Sequence, residues 1–445
     1  MRQRKGVPYS RGKHRQARSG GRFMPGAGKM SLALMLVLLV LLAGVAVFFV
    51  RQGAQALGAS RQNDQATHQQ AQVDGGSYLY YTLKQSGAFV LARAAKGSNG
   101  QPLGLPQTVA KFGNGFGQLE SDAVLSMQLS PDGRFLAIDG TGDHGEEVWV
   151  YNIQQNLLTL TPANVMGNFL HWLPGATSHT FLYRPVLPLG PDAPMDSNGW
   201  NPGLWKVDAA TGAITNIDIA TSSAFLVDAA PSPDGTRIVY STSLGLGMGS
   251  DTWMMNSDGS NITHLFSMPG GARSIAGMFA WSPDGLTIAY ERLTDSPTPF
   301  LPAGLWLMNA SGRQPRYLAD TDGGHGFTLS WSPDGSRIAY VMRTNTGSRS
   351  ADFSAQSLQS AIAVVNVSSG RSWLVASPTQ TGLQINDNPT WIAGGTTLTF
   401  TAYNPFNLVL GGAPRYWSAQ VGLQVTHTPL VPLTPVLSHV VAIGA

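Results

Sequence analysis

The 445-residue chain contains no cysteine. Disulfides, thiolate metal sites, cysteine nucleophiles and lipidation of an N-terminal cysteine are thereby excluded. Charge is also scarce: Asp, Glu, Lys and Arg make up 12% of the residues, about half the usual ~25%. With 43% hydrophobic residues, the composition is not that of a disordered chain. Catalytic signatures are missing too. No G-x-S-x-G nucleophile elbow, no H-E-x-x-H zinc motif and no P-loop occurs. One G-x-G-x-x-G is present, at Gly140, Gly142 and Gly145. It falls between two strand-like segments with no helix to receive a pyrophosphate, so it is not read as a nucleotide site.

What is abundant is glycine (52) and proline (28), the punctuation of many turns between short strands. The net charge of +3 hides a division. Residues 1–29 hold nine Lys/Arg and no acid, which leaves 19 Lys/Arg against 25 Asp/Glu in the rest, a balance of −6. The basic pI belongs to the tail. Directly after it, Met30 to Val50 is a run of 21 residues without a charge, bounded by Lys29 and Arg51. At ~1.5 Å per residue it spans ~31 Å, one hydrocarbon core. It is longer than the ~7–15-residue core of a secretory signal, although Ala43-Gly44-Val45-Ala46 would serve as a small-residue cleavage site. The reading is a transmembrane helix over 30–50 with a cytoplasmic basic tail over 1–29 and the body outside. The tail is then a topology signal, and nucleic acid is not expected as a partner. Residues 51–75, rich in Gln and Ala, read as a spacer. The folded body is 76–445.

That body repeats itself. Ser130-Pro131-Asp132-Gly133 is followed by RFLAI, and Ser232-Pro233-Asp234-Gly235 by TRIVY. Trp281-Ser282-Pro283-Asp284-Gly285 is followed by LTIAY, and Trp331-Ser332-Pro333-Asp334-Gly335 by SRIAY. Gly235, Gly285 and Gly335 are 50 residues apart, and Gly133 precedes Gly235 by 102, room for one more unit. Trp172-Leu173-Pro174-Gly175 before HTFLY marks that unit; Trp391-Ile392-Ala393-Gly394-Gly395 before TTLTF is a last relic. Ser, Pro, Asp and Gly in that order suit a type I turn. The apolar five residues that follow suit a buried strand. The Asp residues are therefore read as turn residues, not catalytic acids.

A second motif follows each first one, as in Thr252-Trp253-Met254-Met255-Asn256 and Leu305-Trp306-Leu307-Met308-Asn309. Asn or Asp then opens a Gly-containing turn into a fourth strand. Four short antiparallel strands per ~50 residues predict the blade of a β-propeller. Ten of the eleven tryptophans fall in this pattern, and only Trp200 lies outside it. Six units carry the turn motif or its relic. Upstream, Ser77–Tyr81, Ala88–Ala92 and Leu105–Val109 look like three strands lacking a first. The tail segment VLSHVVAI would supply it and close the ring. Seven blades are expected, with six as the alternative.

The (W)SPDGxxIAY…LWxMNxxG pattern, over about residues 76–425, resembles that of the TolB-like, or WD40-like PD40, β-propeller family. The resemblance implies binding of protein or ligand at a propeller face, or, in some relatives, gating of a peptidase. TolB-type proteins place a small α/β domain before the propeller; here the apolar span and spacer stand there instead. Peptidase relatives add an α/β-hydrolase domain, of which no motif is found.

Polar clusters are few. Asp143, His144, Glu146 and Glu147 lie in GTGDHGEE, and Asp320-Thr321-Asp322-Gly323-Gly324-His325 is a second acidic turn. The latter lacks the bidentate Glu of a full calcium loop. Both are read as solvated loops, and His171 and His179 as packing or hydrogen-bonding residues. No metal, cofactor or catalytic residue is expected. The longest connections are those between second and third strands: about 184–203, 291–304, 342–360 and 402–414. They carry Arg184, Trp200, Arg292, Phe300, Arg343 and Tyr403, residue types favoured in interface hot spots. These six are the expected binding residues. The expected function is a membrane-anchored extracytoplasmic scaffold for a protein, peptide or glycan. The alternative is a propeller hydrolase or lyase acting on carbohydrate or peptide in the central channel. Converging carboxylates and histidines in the channel would favour the enzyme, and an apolar channel the scaffold.

Overall fold

The computed structural model describes residues 78–443, apart from short stretches and the longer connections 114–122, 189–202, 295–300, 323–328, 405–414 and 423–429. The basic tail, the apolar segment 30–50 and the spacer lie outside the described residues. Among the described residues no helix is long and apolar enough to cross a membrane.

Seven four-stranded antiparallel sheets form the blades of a propeller. Six follow the chain: Ala123–Leu160, Val165–Ile217, Phe225–Met268, Ile275–Thr321, Ser330–Ala376 and Ile385–Thr434 are blades two to seven. Blade one is assembled from both ends. Tyr78–Gln85, Ala88–Lys96 and Pro102–Lys111 are its second to fourth strands, and Ser438–Ile443 is its first, with Tyr78 opposite Ile443. The tail strand thus closes the ring, as expected from sequence. Closure removes the open edge that a strand row would otherwise present. First strands contact one another between blades one and two and between successive blades from three to seven.

Each SPDG is the turn between first and second strands. The N–H of Gly133, Gly235, Gly285 and Gly335 donates to the carbonyl of the serine three residues earlier, at 2.8–2.9 Å. Each serine hydroxyl donates to the turn aspartate at 2.5 Å. Those bonds to serine hold the Asp234 and Asp334 carboxyls down at about 2. The turn glycines have φ near +70°, a region costly for a residue with a side chain. Successive turns also nest: a Cβ on Gly285 or Gly335 would meet the proline ring of the preceding blade's turn at 3.7 Å.

The core lies between blades, because each sheet is buried on both faces. Ala230, Val239 and Met254 of blade four pack with Phe279, Trp281, Ile288 and Tyr290 of blade five. The same arrangement recurs between blades five and six and between six and seven. A repeated hydrogen bond accompanies it. The indole N–H of Trp172, Trp281, Trp331 and Trp391 donates to Gln128, Ala230, Ala280 and Ser330 carbonyls, each in the first strand of the preceding blade, at 2.9–3.1 Å. Arg237 and Arg337 add a second staple. Their guanidinium groups stack over Trp281 and Trp391 of the next blade, at 5.0 and 4.8 Å. They also donate to that blade's Ala310 and Val421 carbonyls.

Candidate functional site

Antiparallel order sends the SPDG turns and the Asn-x-x-Gly turns to one face of the ring. The second-to-third connections and the links between blades lie on the other. On that second face lie the strand ends that bound the four long connections, Pro188 and Leu204, Leu293 and Ala303, Arg343 and Ser360, and Tyr403 and Arg415. Arg292, Arg343 and Tyr403 stand at the ends of the second strands of blades five, six and seven on that face. Arg184, expected in a connection, lies within the second strand Thr180–Pro188 of blade three, opposite Asn168. Trp200 and Phe300 lie outside the described residues.

The side chains of the four are engaged within the fold. Arg184 bridges two blades, its Nε donating to Asn168 Oδ1 (3.2 Å) and its Nη1 to the Val227 carbonyl (3.0 Å). Arg292 is half-buried, with its guanidinium 3.7 Å from the Trp306 ring centre and its Nη2 donating to the Tyr290 hydroxyl. Arg343 is only 4% exposed and donates to Asp352 Oδ1 at 2.7 Å. Asp352 sits in the short helix Arg349–Phe353, so this arginine pins its own loop instead of facing solvent. Tyr403 is half-buried, and burial, with the nearby Asp387 carboxylate, pushes its phenol well above its ordinary value.

A second set of residues, polar in every blade but the sixth and missed in the sequence except for Arg184, lies at one strand position. It is the position after Tyr81, Ile138, Tyr183, Tyr240, Tyr290, Tyr340 and Phe400 in the seven second strands: Thr82, Asp139, Arg184, Ser241, Glu291, Val341 and Thr401. Six of the seven are buried below 9% and Arg184 is half-buried. Ser241 donates to the Ala276 carbonyl and Thr401 to Asp387 Oδ1. Glu291 is fully buried, neither carboxylate oxygen has a hydrogen-bond partner, and Thr321 and Asp322 lie beside it. Burial pushes Asp139 and Glu291 well above the usual carboxylate range. Two loops read as solvated are corrected here. Asp322 is fully buried while Asp320 points outward to Arg273, so the two do not share an ion. Glu147 is 3% exposed and accepts the Trp149 indole N–H, because it lies in a central strand of blade two.

The raised Glu291 value has a consequence for stability. A carboxyl that holds its proton in the fold favours folding below the unfolded value of ~4.3, and that contribution is lost as pH rises towards the folded value. Glu291→Gln keeps the shape of the protonated form and removes the titration. It is expected to be more stable than the parent at pH 8 and equal to it near pH 4, read by chemical denaturation at both pH values. A parent that is more stable than the variant at pH 8 contradicts this.

An open depression of about 330 Å³ lies beside the SPDG turns, lined by His171, Trp172, Pro231, Ser232, Phe279, Trp281, Ser330 and Trp331, among others, a mixture of polar and apolar groups. Burial lowers the His171 value, which favours the neutral imidazole. Its partner in charge is Asp228, which accepts the Phe279 N–H at 2.8 Å. His179 packs on Phe135 and bridges Asp132 and Asp208 across two blades, as a hydrogen-bonding residue should. Among the described residues no three His, Asp or Glu side chains gather where they would hold a metal. A further groove of about 330 Å³ opens on the long-loop face of blade four.

No protein-family model matches the sequence, and no curated protein matches it. Solved structures do share the fold. An oligogalacturonate lyase in complex with manganese is 17% identical with a TM-score of 0.51, over 78% of this chain and 87% of that one. The oligogalacturonate lyase from Vibrio parahaemolyticus is 14% identical with a TM-score of 0.52, over the same shares of the two chains, 78% and 87%. TolB from Acinetobacter baumannii is 15% identical with a TM-score of 0.42, and the chain spans 63% of its length. At such identities the likeness to the lyases establishes a propeller and carries no activity with it.

Proposed function

We propose that the protein is a membrane-tethered extracytoplasmic propeller that binds a protein, peptide or glycan through its long-loop face, without catalysis. One observation carries this reading: four long, unlike connections share one face of a rigid ring. The opposite face repeats one tight turn, Ser-Pro-Asp-Gly, in four of its blades. A specific partner needs a non-repeating surface, and long loops on a rigid scaffold supply it. The apolar segment 30–50 and the basic tail before it support the tether and its orientation.

The second reading is a hydrolase or lyase acting on carbohydrate or peptide, suggested by the two lyases that share the fold. It needs acid, base or metal-holding groups facing open channel. The buried acids Asp139 and Glu291 do not face it, since they are 7% and 0% exposed.

The test is by substitution on both faces. Trp200→Ala is expected to weaken partner binding by ~2 kcal/mol or more with an unchanged melting temperature. Arg292→Ala is expected to lower stability as well, since its guanidinium stacks on Trp306 and bonds the Tyr290 hydroxyl. Asp284→Ala and Asp334→Ala, on the other face, are expected to cost about 1 kcal/mol of stability through lost turn hydrogen bonds and to leave affinity intact. The reverse pattern sinks the face assignment. Arg343→Ala is not a clean probe, because it also releases Asp352 and the loop between them.

A further inference from the structure

Blade four departs from its neighbours on the long-loop face. Its second-to-third connection is the glycine-rich Leu244–Gly249, and it faces Met268-Pro269-Gly270-Gly271 at the exit from the fourth strand. Together they wall the groove, which is lined by Thr242, Ser243, Leu244, Met248, Asp251 and Met268, among others.

The walls are built from backbone. A Cβ on Gly249 would fall 1.9 Å from the Met268 carbonyl oxygen, and one on Gly270 would fall 1.9 Å from the Gly247 carbonyl oxygen. Only glycine permits so close an approach. The Ser243 hydroxyl donates to the Gly249 carbonyl at 2.6 Å and accepts the Gly245 N–H at 3.2 Å, fixing the connection from inside. The groove is thus preformed, and an occupant is spared the cost of ordering it.

Its chemistry is unequal on its sides. Leu244 and Met248 are 48% and 57% exposed and both line the groove, so its wall offers open apolar surface to an occupant. Asp251 is the one charged group among the described lining residues, and its side chain is 41% exposed. Its Oδ1 accepts the Ser267 hydroxyl and lies 3.5 Å from His264 Nε2. An apolar wall beside a single open carboxylate complements a side chain with an aliphatic stem and a cationic head. Lysine and arginine are the residues that combine the two. The body's charge balance of −6 outside the basic tail favours a cationic partner in the same sense.

We propose that the blade-four groove seats a lysine or arginine side chain of a partner peptide, its stem against Leu244 and Met248 and its head on the Asp251 carboxylate. The inference rests on the long-loop face being the binding face, and it names the partner chemistry for one sector of that face.

The probes are acetylated, amidated tripeptides: Ala-Lys-Ala, Ala-Arg-Ala, Ala-Leu-Ala and Ala-Glu-Ala. They are titrated into the full chain and followed by calorimetry. The lysine and arginine peptides are expected to bind in the millimolar range, and the leucine and glutamate peptides more weakly. Asp251→Asn is expected to weaken the lysine peptide about threefold to fivefold, the range of a partly exposed ion pair. Met248→Ser should weaken lysine and leucine peptides alike, with an unchanged thermal melt. A lysine peptide that binds no better than the leucine peptide, or that ignores Asp251→Asn, overturns the proposal. If a captured partner depends on Trp200 and Arg292 while the tripeptides ignore the groove, the long-loop reading stands and this inference falls. If the tripeptides bind as expected and no partner uses the face, the groove's chemistry stands and the scaffold reading falls.

Discussion

Trp281→Ala and Trp331→Ala are each expected to lower the stability of the propeller by ~3–5 kcal/mol. Each side chain fills the space between blades, and Trp281 is only 8% exposed. Each also gives its indole N–H to the preceding blade, to Ala230 at 3.1 Å and to Ala280 at 2.9 Å. Alanine therefore leaves a cavity and an unpaired carbonyl in one step. At Trp281 it further exposes the Arg237 guanidinium that stacks on the ring. A urea melt of the two variants and the parent measures the loss. A cost below ~1 kcal/mol at either site would mean that the indoles are not the staples between blades.

Removing Ser438–Ala445 should do comparable damage from a different direction. The strand Ser438–Ile443 pairs with Tyr78–Thr82 at five positions and is the first strand of blade one. At ~1 kcal/mol net per hydrogen bond, the lost ladder alone costs roughly 4–5 kcal/mol. The deletion also leaves Tyr78–Gln85 as an open edge, a template for pairing with another chain. The expected result is a lower, broader melt and aggregates on size exclusion. A truncated chain that melts with the parent and stays monodisperse would show that the ring does not depend on this closure.

Much of this architecture was legible because the turn chemistry repeats. Ser-Pro-Asp-Gly fixes where a first strand ends and a second begins, and the tryptophan before it marks the inner strand. Blade three was readable from spacing, although its turn keeps only Pro174 and Gly175. Blade one was readable only as three strands in want of a fourth, since its first strand lies more than 350 residues further along the chain.

The site was less legible, for a physical reason. Loop membership was read only roughly, and side-chain direction could not be read at all. Arg184, Arg292, Arg343 and Tyr403, expected in the connections, lie in the second strands Thr180–Pro188, Thr287–Leu293, Arg337–Arg343 and Thr397–Tyr403. Arg343 and Arg292 sit where a contact surface was expected, yet Asp352 and the Trp306 ring hold them. Those partners lie across a loop or a strand pair and carry no sequence signature. The buried acids Asp139 and Glu291 were hidden in a strand position that other blades fill with Thr, Arg, Ser or Val. The blade-four groove did have a signal. Leu244-Gly245-Leu246-Gly247-Met248-Gly249 sets large apolar residues between glycines in a short connection, where neither a strand nor a helix would bury them.

The central claim is that partners meet the long-loop face of an extracytoplasmic propeller. Crosslinking on intact cells with a membrane-impermeant reagent, followed by peptide mapping, tests it most directly. The account predicts crosslinks from a partner to 184–203, 291–304, 342–360, 402–414 and the 244–251 groove. Crosslinks confined to the Ser-Pro-Asp-Gly turns, or to residues 1–29 with none in the body, would contradict it.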